Sequence, residues 1–405
     1  MVFQYLNVNK NSSIILSLAM ILLCGFLLTR VTSKFKLPYV TGYIIAGILI
    51  GPYVLNLIPQ EIIEGMDFIT DIALAFIAFE VGRYLKFSAL KENGAQVIII
   101  TICEALIAAI VITVSMIFIF KLPVSFSLLL GAIGSATAPA STMMTIKQYK
   151  AKGDFVNLLV QVVALDDAVS LIAFSICAAV VQVLNTGSSL NIFVFLMPTF
   201  FNIIAILLGI IFGLILNKLI SSKRSEFNRL ILAIAMILAL TGFCSLFDIS
   251  PLLSCMALGT TFIDLSNDKE LFRQINSFSP PILTIFFVLS GMRLNVPSLI
   301  SAGLIGVSYF AIRIIGKYVG AFVGAVLSKS SEEVRKYFGM TLIPQAGVSI
   351  GLAMLGHRML PPEIGSLLLT IILSSGVLYE MIGPGMVKLA LHLSKSIPNS
   401  EGRFF

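Results

Sequence analysis

Two aspartates stand side by side in Val163-Ala164-Leu165-Asp166-Asp167-Ala168-Val169, within a long apolar stretch. A carboxylate inside a membrane costs several kcal/mol unless it is protonated, paired or hydrated, so a pair in such a setting points to ion or proton chemistry. Adjacent helix positions point about 100° apart, so the two do not share one face. One can bind an ion in a cavity while the other meets a cationic partner. Adjacent like charges also disfavour simultaneous ionisation. A carboxyl tuned in this way can alternate between holding a proton and holding Na⁺ or K⁺. The plainer reading, a helix-end pair facing water, does not fit its place far from either end of the stretch.

The cationic partners are also inside an apolar segment. Arg313 and Lys317 are four apart, hence on one helix face, and one of them is expected to pair with Asp166. Snorkelling to an interface is a weak account of Lys317, which has many residues to go before the next loop. Glu104 is mid-segment too. It either pairs with Arg313, its approximate counterpart in an internal repeat, or is a protonated acid hydrogen-bonded to a neighbouring helix. Gly134-Ser135-Ala136-Thr137-Ala138-Pro139-Ala140-Ser141-Thr142 reads as a helix broken at Pro139, where freed carbonyls and the hydroxyls of Thr137, Ser141 and Thr142 can face a cation. Ile343-Pro344-Gln345-Ala346-Gly347 supplies a matching break at Pro344. Glu80, beside Arg83, reads as an interfacial or funnel charge. Glu380 is left open between a structural and a pathway role. His357 and His392 read as solvated, with His357 placed to sense external pH.

These residues need apolar elements to hold them, and composition supplies those. The 405 residues are 58% apolar and only 12% charged, with a mean hydropathy of +1.02, too little charge to cover a soluble domain. The fold class expected is an all-α polytopic membrane protein. About thirteen spans are expected, near 12–31, 38–57, 67–85, 96–119, 123–146, 155–184, 192–218, 227–247, 250–265, 279–296, 299–328, 337–356 and 364–391. Twenty-one basic residues fall in loops after odd-numbered spans, four on the other side and two inside a span, accounting for all 27. That bias places the N-terminus outside and the C-terminus in the cytoplasm. It also reads the net charge of +7 as a topology signal, so no nucleic-acid partner is expected. Membrane lipid is the expected surround.

The second half echoes the first. Leu37-Pro38-Tyr39…Gly47…Gly51 resembles Ile249-Ser250-Pro251…Gly259, and Phe76-Ile77-Ala78-Phe79-Glu80-Val81-Gly82-Arg83 resembles Phe286-Phe287-Val288-Leu289-Ser290-Gly291-Met292-Arg293. An odd number of spans between copies inverts the second, and inverted repeats with two interrupted helices place a transport site at mid-membrane. Cys24, Cys103, Cys177, Cys244 and Cys255 have no CxxC spacing and no nearby His, and are expected as buried packing thiols. The first apolar run reads as a true span, and no cleavable signal is expected.

Tyr149-Lys150-Ala151-Lys152-Gly153 before Val163-Ala164-Leu165-Asp166-Asp167, with Ser135-Ala136-Thr137-Ala138-Pro139-Ala140 upstream, resembles the monovalent cation:proton antiporter superfamily. The branch is that of bacterial sodium/proton antiporters and Kef-type potassium efflux proteins. Leu37-Pro38…Gly42…Gly47…Gly51-Pro52 and Phe287…Gly291 extend the likeness over the membrane domain. The resemblance implies thirteen helices with a moving core (here 67–184 and 279–391), a dimerisation scaffold (12–57 and 227–265) and a linker helix (192–218). It implies crossing of the two Pro-interrupted helices, elevator-like alternating access and a homodimer in the bacterial inner membrane. By position, Asp167 matches the ion-binding aspartate, Asp166 its neighbour and Lys317 the lysine paired with that neighbour. The only metal held at Asp167 and Asp166 would be the transported cation, and no cofactor is implied. The Asp-Asp pair resembles the electrogenic sodium/proton members. No Gly-rich nucleotide-binding segment follows the last span within the 405 residues, so Kef-type ligand gating is not expected.

Two other readings compete. A potassium/proton antiporter of the Kef type differs only in cavity size and field strength at an oxygen-lined site. An intramembrane aspartyl protease needs two aspartates on different helices. Here they are adjacent, no GxGD is present, and enzymatic activity is not expected.

Overall fold

The computed structural model describes residues 10–398 apart from 36, 86, 187–191, 221–224, 248, 294–295 and 346–347. Ala346 and Gly347 of the second break, and the loop residues Lys36, Lys86, Lys223, Arg224 and Arg403, therefore lie outside the described residues. Everything ordered among the described residues is helical. That is what a chain without water to satisfy its backbone requires. The helices are α1 (Lys10–Lys34), α2 (Tyr39–Ile50), α3 (Gln60–Gly65), α4 (Asp67–Gly82), α5 (Phe87–Phe118), α6 (Val124–Ser135), α7 (Pro139–Gln148), α8 (Asp154–Thr186) and α9 (Ile192–Leu219). The second half holds α10 (Glu226–Leu246), α11 (Pro251–Ser266), α12 (Lys269–Phe278), α13 (Pro280–Arg293), α14 (Val296–Leu327), α15 (Glu332–Tyr337), a 3₁₀ segment (Phe338–Leu342), α16 (Val348–Met359) and α17 (Pro362–Leu393).

A helix lies within each expected span. Among the described residues, seven helices and the interrupted segment Val124–Gln148 are long and apolar enough to cross a membrane, and the bent pair α12–α13, kinked by 52°, makes a ninth. α2 and α11 are shorter. The expected second span runs to 57, but α2 stops at Ile50. Gly51 is extended ahead of Pro52, whose ring disfavours helix in the preceding residue. Helix starts follow local chemistry. Ser250 caps α11, accepting the Leu253 amide at 3.4 Å with Pro251 in the first turn. Asp268 caps α12 by accepting the Glu270 and Leu271 amides.

Glycines decide which helices touch. A β-carbon on Gly47 of α2 would lie 2.0 Å from Val288 O of α13, and one on Gly291 would lie 2.2 Å from Ile44 O. A β-carbon on Gly82 of α4 would lie 2.4 Å from Met256 O of α11, and one on Gly259 would lie 2.2 Å from Phe79 O. In the sequence repeat α2 matches α11 and α4 matches α13. Each repeat therefore packs its first element onto the second element of the other, backbone to backbone.

Burial separates inner from outer helices. In an apolar 18-residue stretch of Val124–Gln148, which contains the first break, 83% of the residues are buried, against 22% in the corresponding stretches of Asn11–Lys34 and Phe200–Leu219. The outer helices carry the exposed large apolar side chains, such as Ile15, Phe26 and Leu207, that face lipid in a membrane protein. Of the five thiols, Cys244 and Cys255 are buried as expected. Cys24, Cys103 and Cys177 are only half-buried, because apolar sequence does not separate lipid-facing from protein-facing positions.

Candidate functional site

Two interrupted helices cross at the centre. α6 ends at Ser135, the chain runs extended through Ala136, and α7 begins with Pro139. Proline there lacks the amide that would continue the ladder and sets the preceding residue extended. The second interruption follows the 3₁₀ segment at Ile343-Pro344-Gln345, before α16. The breaks bond to each other: the Ala138 amide donates to Pro344 O at 2.9 Å, and the Gln345 side-chain amide donates to Ile133 O at 3.0 Å. The Tyr309 hydroxyl fixes Gln345 by donating to its Oε1 at 3.2 Å.

Interrupting a helix leaves carbonyls without partners at its end. Arg313 of α14 collects them. Its guanidinium donates to Gly134 O at 2.8 Å, Ala136 O at 2.6 Å and Ile343 O at 2.7 Å, and lies 4.6 Å from the centre of the Tyr379 ring. A planar, five-donor cation suits this task, and it complements the negative helix ends. Arg313 is therefore a tie between the breaks.

Lys317, one turn on, serves the carboxylates. Its ammonium donates to Glu104 Oε2 at 2.5 Å, Thr137 Oγ1 at 2.8 Å and Asp166 Oδ2 at 3.4 Å. Of the two readings of Glu104, the pairing with Arg313 is corrected: Glu104 bonds to Lys317 of the neighbouring helix α14, and Arg313 is taken up by carbonyls. A glycine stripe on α14 is the reason. Gly316, Gly320 and Gly324 recur every four residues, and β-carbons there would lie 2.9, 2.7 and 2.8 Å from the Cα atoms of Ala108, Glu104 and Ile100. α5 and α14 therefore meet backbone to backbone, with Glu104 at the level of Lys317. Arg313 is carried on toward the breaks.

Glu104, Asp166, Arg313 and Lys317 are fully buried, and Asp167 is 1% exposed. Neither carboxylate oxygen of Asp167 has a hydrogen-bond partner, and one oxygen each of Asp166 and Glu104 is also free. Two carboxylates thus share one ammonium and a third, Asp167, has no partner, and the surplus negative charge calls for protons or a cation. A cavity of about 30 Å³ adjoins the crossing, lined by Thr137, Ala138, Pro139 and Ser349 with Leu74 and Phe286. That is the scale of a single water or dehydrated ion. Among the described residues no group of three or more His, Cys, Asp or Glu forms a metal cluster.

The structure thus gathers Asp166, Asp167, Thr137, Lys317 and Glu104 around one point, with Arg313, Pro139 and Pro344 bracketing it. Glu80 lies apart. It pairs with Lys147 at the end of α7 and has Arg83 at 3.7 Å. His357 is in the last turn of α16, away from the centre. Sequence reasoning missed Tyr309, Gln345 and the glycine stripe. A glutamine beside Pro344 in an apolar run, and glycines four apart, were the signals available.

The family described as "Sodium/hydrogen exchanger, transmembrane" matches residues 15–387 of this chain. The chain belongs to that family. It is 21% identical to the high-affinity Na(+)/H(+) antiporter NhaS3 of a Synechocystis species, over 85% of this chain and 83% of that one. It is 23% identical to the probable Na(+)/H(+) antiporter 3 of Methanocaldococcus jannaschii, over 90% and 93%. Its fold matches the sodium proton antiporter MjNhaP1 of the same archaeon at pH 8 with a TM-score of 0.68, 20% identity and coverage of 98% and 100%. An electron-microscopy structure of MjNhaP1 gives a TM-score of 0.76 at 19% identity, over 94% and 98%. The exchanger fold therefore spans the described helices, and the chain is a multi-pass membrane protein.

Proposed function

We propose that the chain exchanges Na⁺, or Li⁺, for H⁺ across a bacterial inner membrane, with Asp167 holding cation and proton in turn. The observation that carries this is the Asp167 carboxylate. It is buried, unpartnered at both oxygens, and set beside the crossing of two broken helices in a chain of the exchanger family. An ionised carboxylate cannot stay there uncompensated, so proton and cation compete for it. Asp166 and Thr137 stand as further oxygen donors. Lys317 orients Thr137 and Asp166, and Arg313 keeps the broken ends in register.

The same proposal includes thirteen crossings with the N-terminus outside and the C-terminus in the cytoplasm. The core, 67–184 and 279–391, moves against a scaffold, 12–57 and 227–265, which also forms a homodimer. If Asp166 and Asp167 both give up protons to one cation, exchange moves net charge and responds to voltage at about 2.3 kcal/mol per charge per 100 mV. Purified protein on a solid-supported membrane tests this. Currents on addition of Na⁺ or Li⁺ but not K⁺ are expected. Currents with K⁺ alone would move the assignment to a potassium/proton antiporter, and exchange without current would leave a one-for-one mechanism.

A further inference from the structure

Glu380 is a buried carboxyl that the site above does not use. It stands on α17, 5% exposed, and its Oε2 accepts the Ser141 hydroxyl at 2.6 Å while its Oε1 is buried without a partner. Its position is tied to both breaks. Ser141 is in the first turn of α7, two residues after Pro139. One helical turn beyond Glu380, Gly383 backs onto the other break, where a β-carbon would lie 2.9 Å from Pro344 Cγ. α7 runs from the crossing to the basic loop at Lys147 and Lys150, so Ser141 lies on its cytoplasmic side under the proposed topology.

Most charged groups of the helices packed around α17 are committed elsewhere. Arg313 is held by three carbonyls and the Tyr379 ring, Lys317 by Glu104 and Asp166, and Lys147 by Glu80. α2, α6 and the 3₁₀ segment have no charged residue, α15 carries Glu332, Glu333, Arg335 and Lys336 with Lys336 on Glu332, and α16 offers only His357 and Arg358 in its last turn. On α17 itself, Lys388 lies over the Tyr149 ring. An ionised Glu380 would therefore be a buried charge without a counter-ion. It does not line the cavity at the crossing. A proton, which needs no cavity, is the ligand that fits. The Ser141 hydroxyl suits both states: it donates to the carboxylate and can accept from the acid.

We infer that Glu380, held by Ser141, is a proton-carrying group between cytoplasmic water and the helix crossing. In one direction hydronium gives its proton to the carboxylate and leaves water. In the other, the carboxylic acid returns that proton to water. The inference rests on the cation/proton exchange reading and adds a second proton station to it.

The test uses full-length protein in proteoliposomes, comparing wild type with Glu380→Gln and Ser141→Ala. Glu380→Gln is expected to keep its Na⁺-induced thermal stabilisation, because Asp167 is intact. Its maximal exchange rate should fall about tenfold or more, with a changed pH profile. A carboxylic-acid C=O band should appear on acidification of the wild type in infrared difference spectra and be absent from Glu380→Gln. Ser141→Ala should retain the band and move the pH at which it appears. A slower Glu380→Gln variant with an unchanged pH profile and an unchanged band overturns the inference and leaves a structural role. If Glu380→Gln does not fold, an unmoved band in Ser141→Ala overturns it. The infrared readout needs no transport, so it stands apart from failure of the exchange reading, which wild type without Na⁺-driven proton movement would show.

Discussion

Lys317 sits between two carboxylates, and that arrangement makes an unusual ordering of variant stabilities. Replacing Lys317 by Gln leaves Glu104 and Asp166 buried without their shared cation, and breaking a buried ion pair from one side costs about 3–5 kcal/mol. Glu104→Gln instead removes one of the two anions. Lys317 keeps Asp166 and Thr137, and an amide oxygen can still accept from it, so the loss is one charge-assisted hydrogen bond, about 1.5–3 kcal/mol. In the double variant Glu104→Gln, Lys317→Gln the amides can bond to each other and one orphan charge is gone. It should therefore be more stable than Lys317→Gln alone, a coupling of about 0.5–3 kcal/mol between residues in contact. The assay is the fraction of monodisperse protein surviving a temperature series in detergent, read by gel filtration. The expected order is wild type, Glu104→Gln, double variant, Lys317→Gln. Lys317→Gln as stable as wild type, or a double variant less stable than Lys317→Gln, would refute the shared-cation reasoning.

Arg313→Lys keeps the charge but reaches one or two carbonyls instead of three, so apparent stability should fall by about 1–3 kcal/mol and exchange should slow, as thermal survival and vesicle flux would show. Gly320→Ala puts a β-carbon 2.7 Å from the Glu104 Cα and forces α14 off α5, at about 1–3 kcal/mol, whereas Gly242→Ala, with no atom within 4 Å, should be neutral or stabilising in the same heating series.

Much of this architecture is readable from residue order, for identifiable reasons. Apolar runs must become helices in lipid, so α5, α8 and α14 announce themselves. Pro139 and Pro344 mark the breaks because a proline interrupts the hydrogen-bond ladder wherever it falls mid-helix. Asp166, Asp167 and Lys317 stand out because charge is scarce in such surroundings. The partner of Glu104 was not readable. It depends on how α5 and α14 are rotated against each other, and that is set by the glycine stripe at 316, 320 and 324. Helix α12 was also missed. Its charged face reads as loop, although Leu271, Phe272 and Ile275 recur at helical spacing and are buried, with Phe272 stacked on Phe79 at 4.6 Å. The Ser141–Glu380 bond joins residues 239 positions apart, a distance over which sequence pattern is silent.

The most direct measurement of the central claim is Na⁺/H⁺ exchange by Asp167→Asn in proteoliposomes, as isotopic Na⁺ uptake driven by an outward proton gradient. Asparagine keeps the shape but can neither take up nor release a proton in this range. The variant should insert and purify like wild type, and its uptake should fall to the level of protein-free vesicles. Gradient-driven uptake by Asp167→Asn at a rate near that of wild type would contradict the assignment of Asp167 as the carrier.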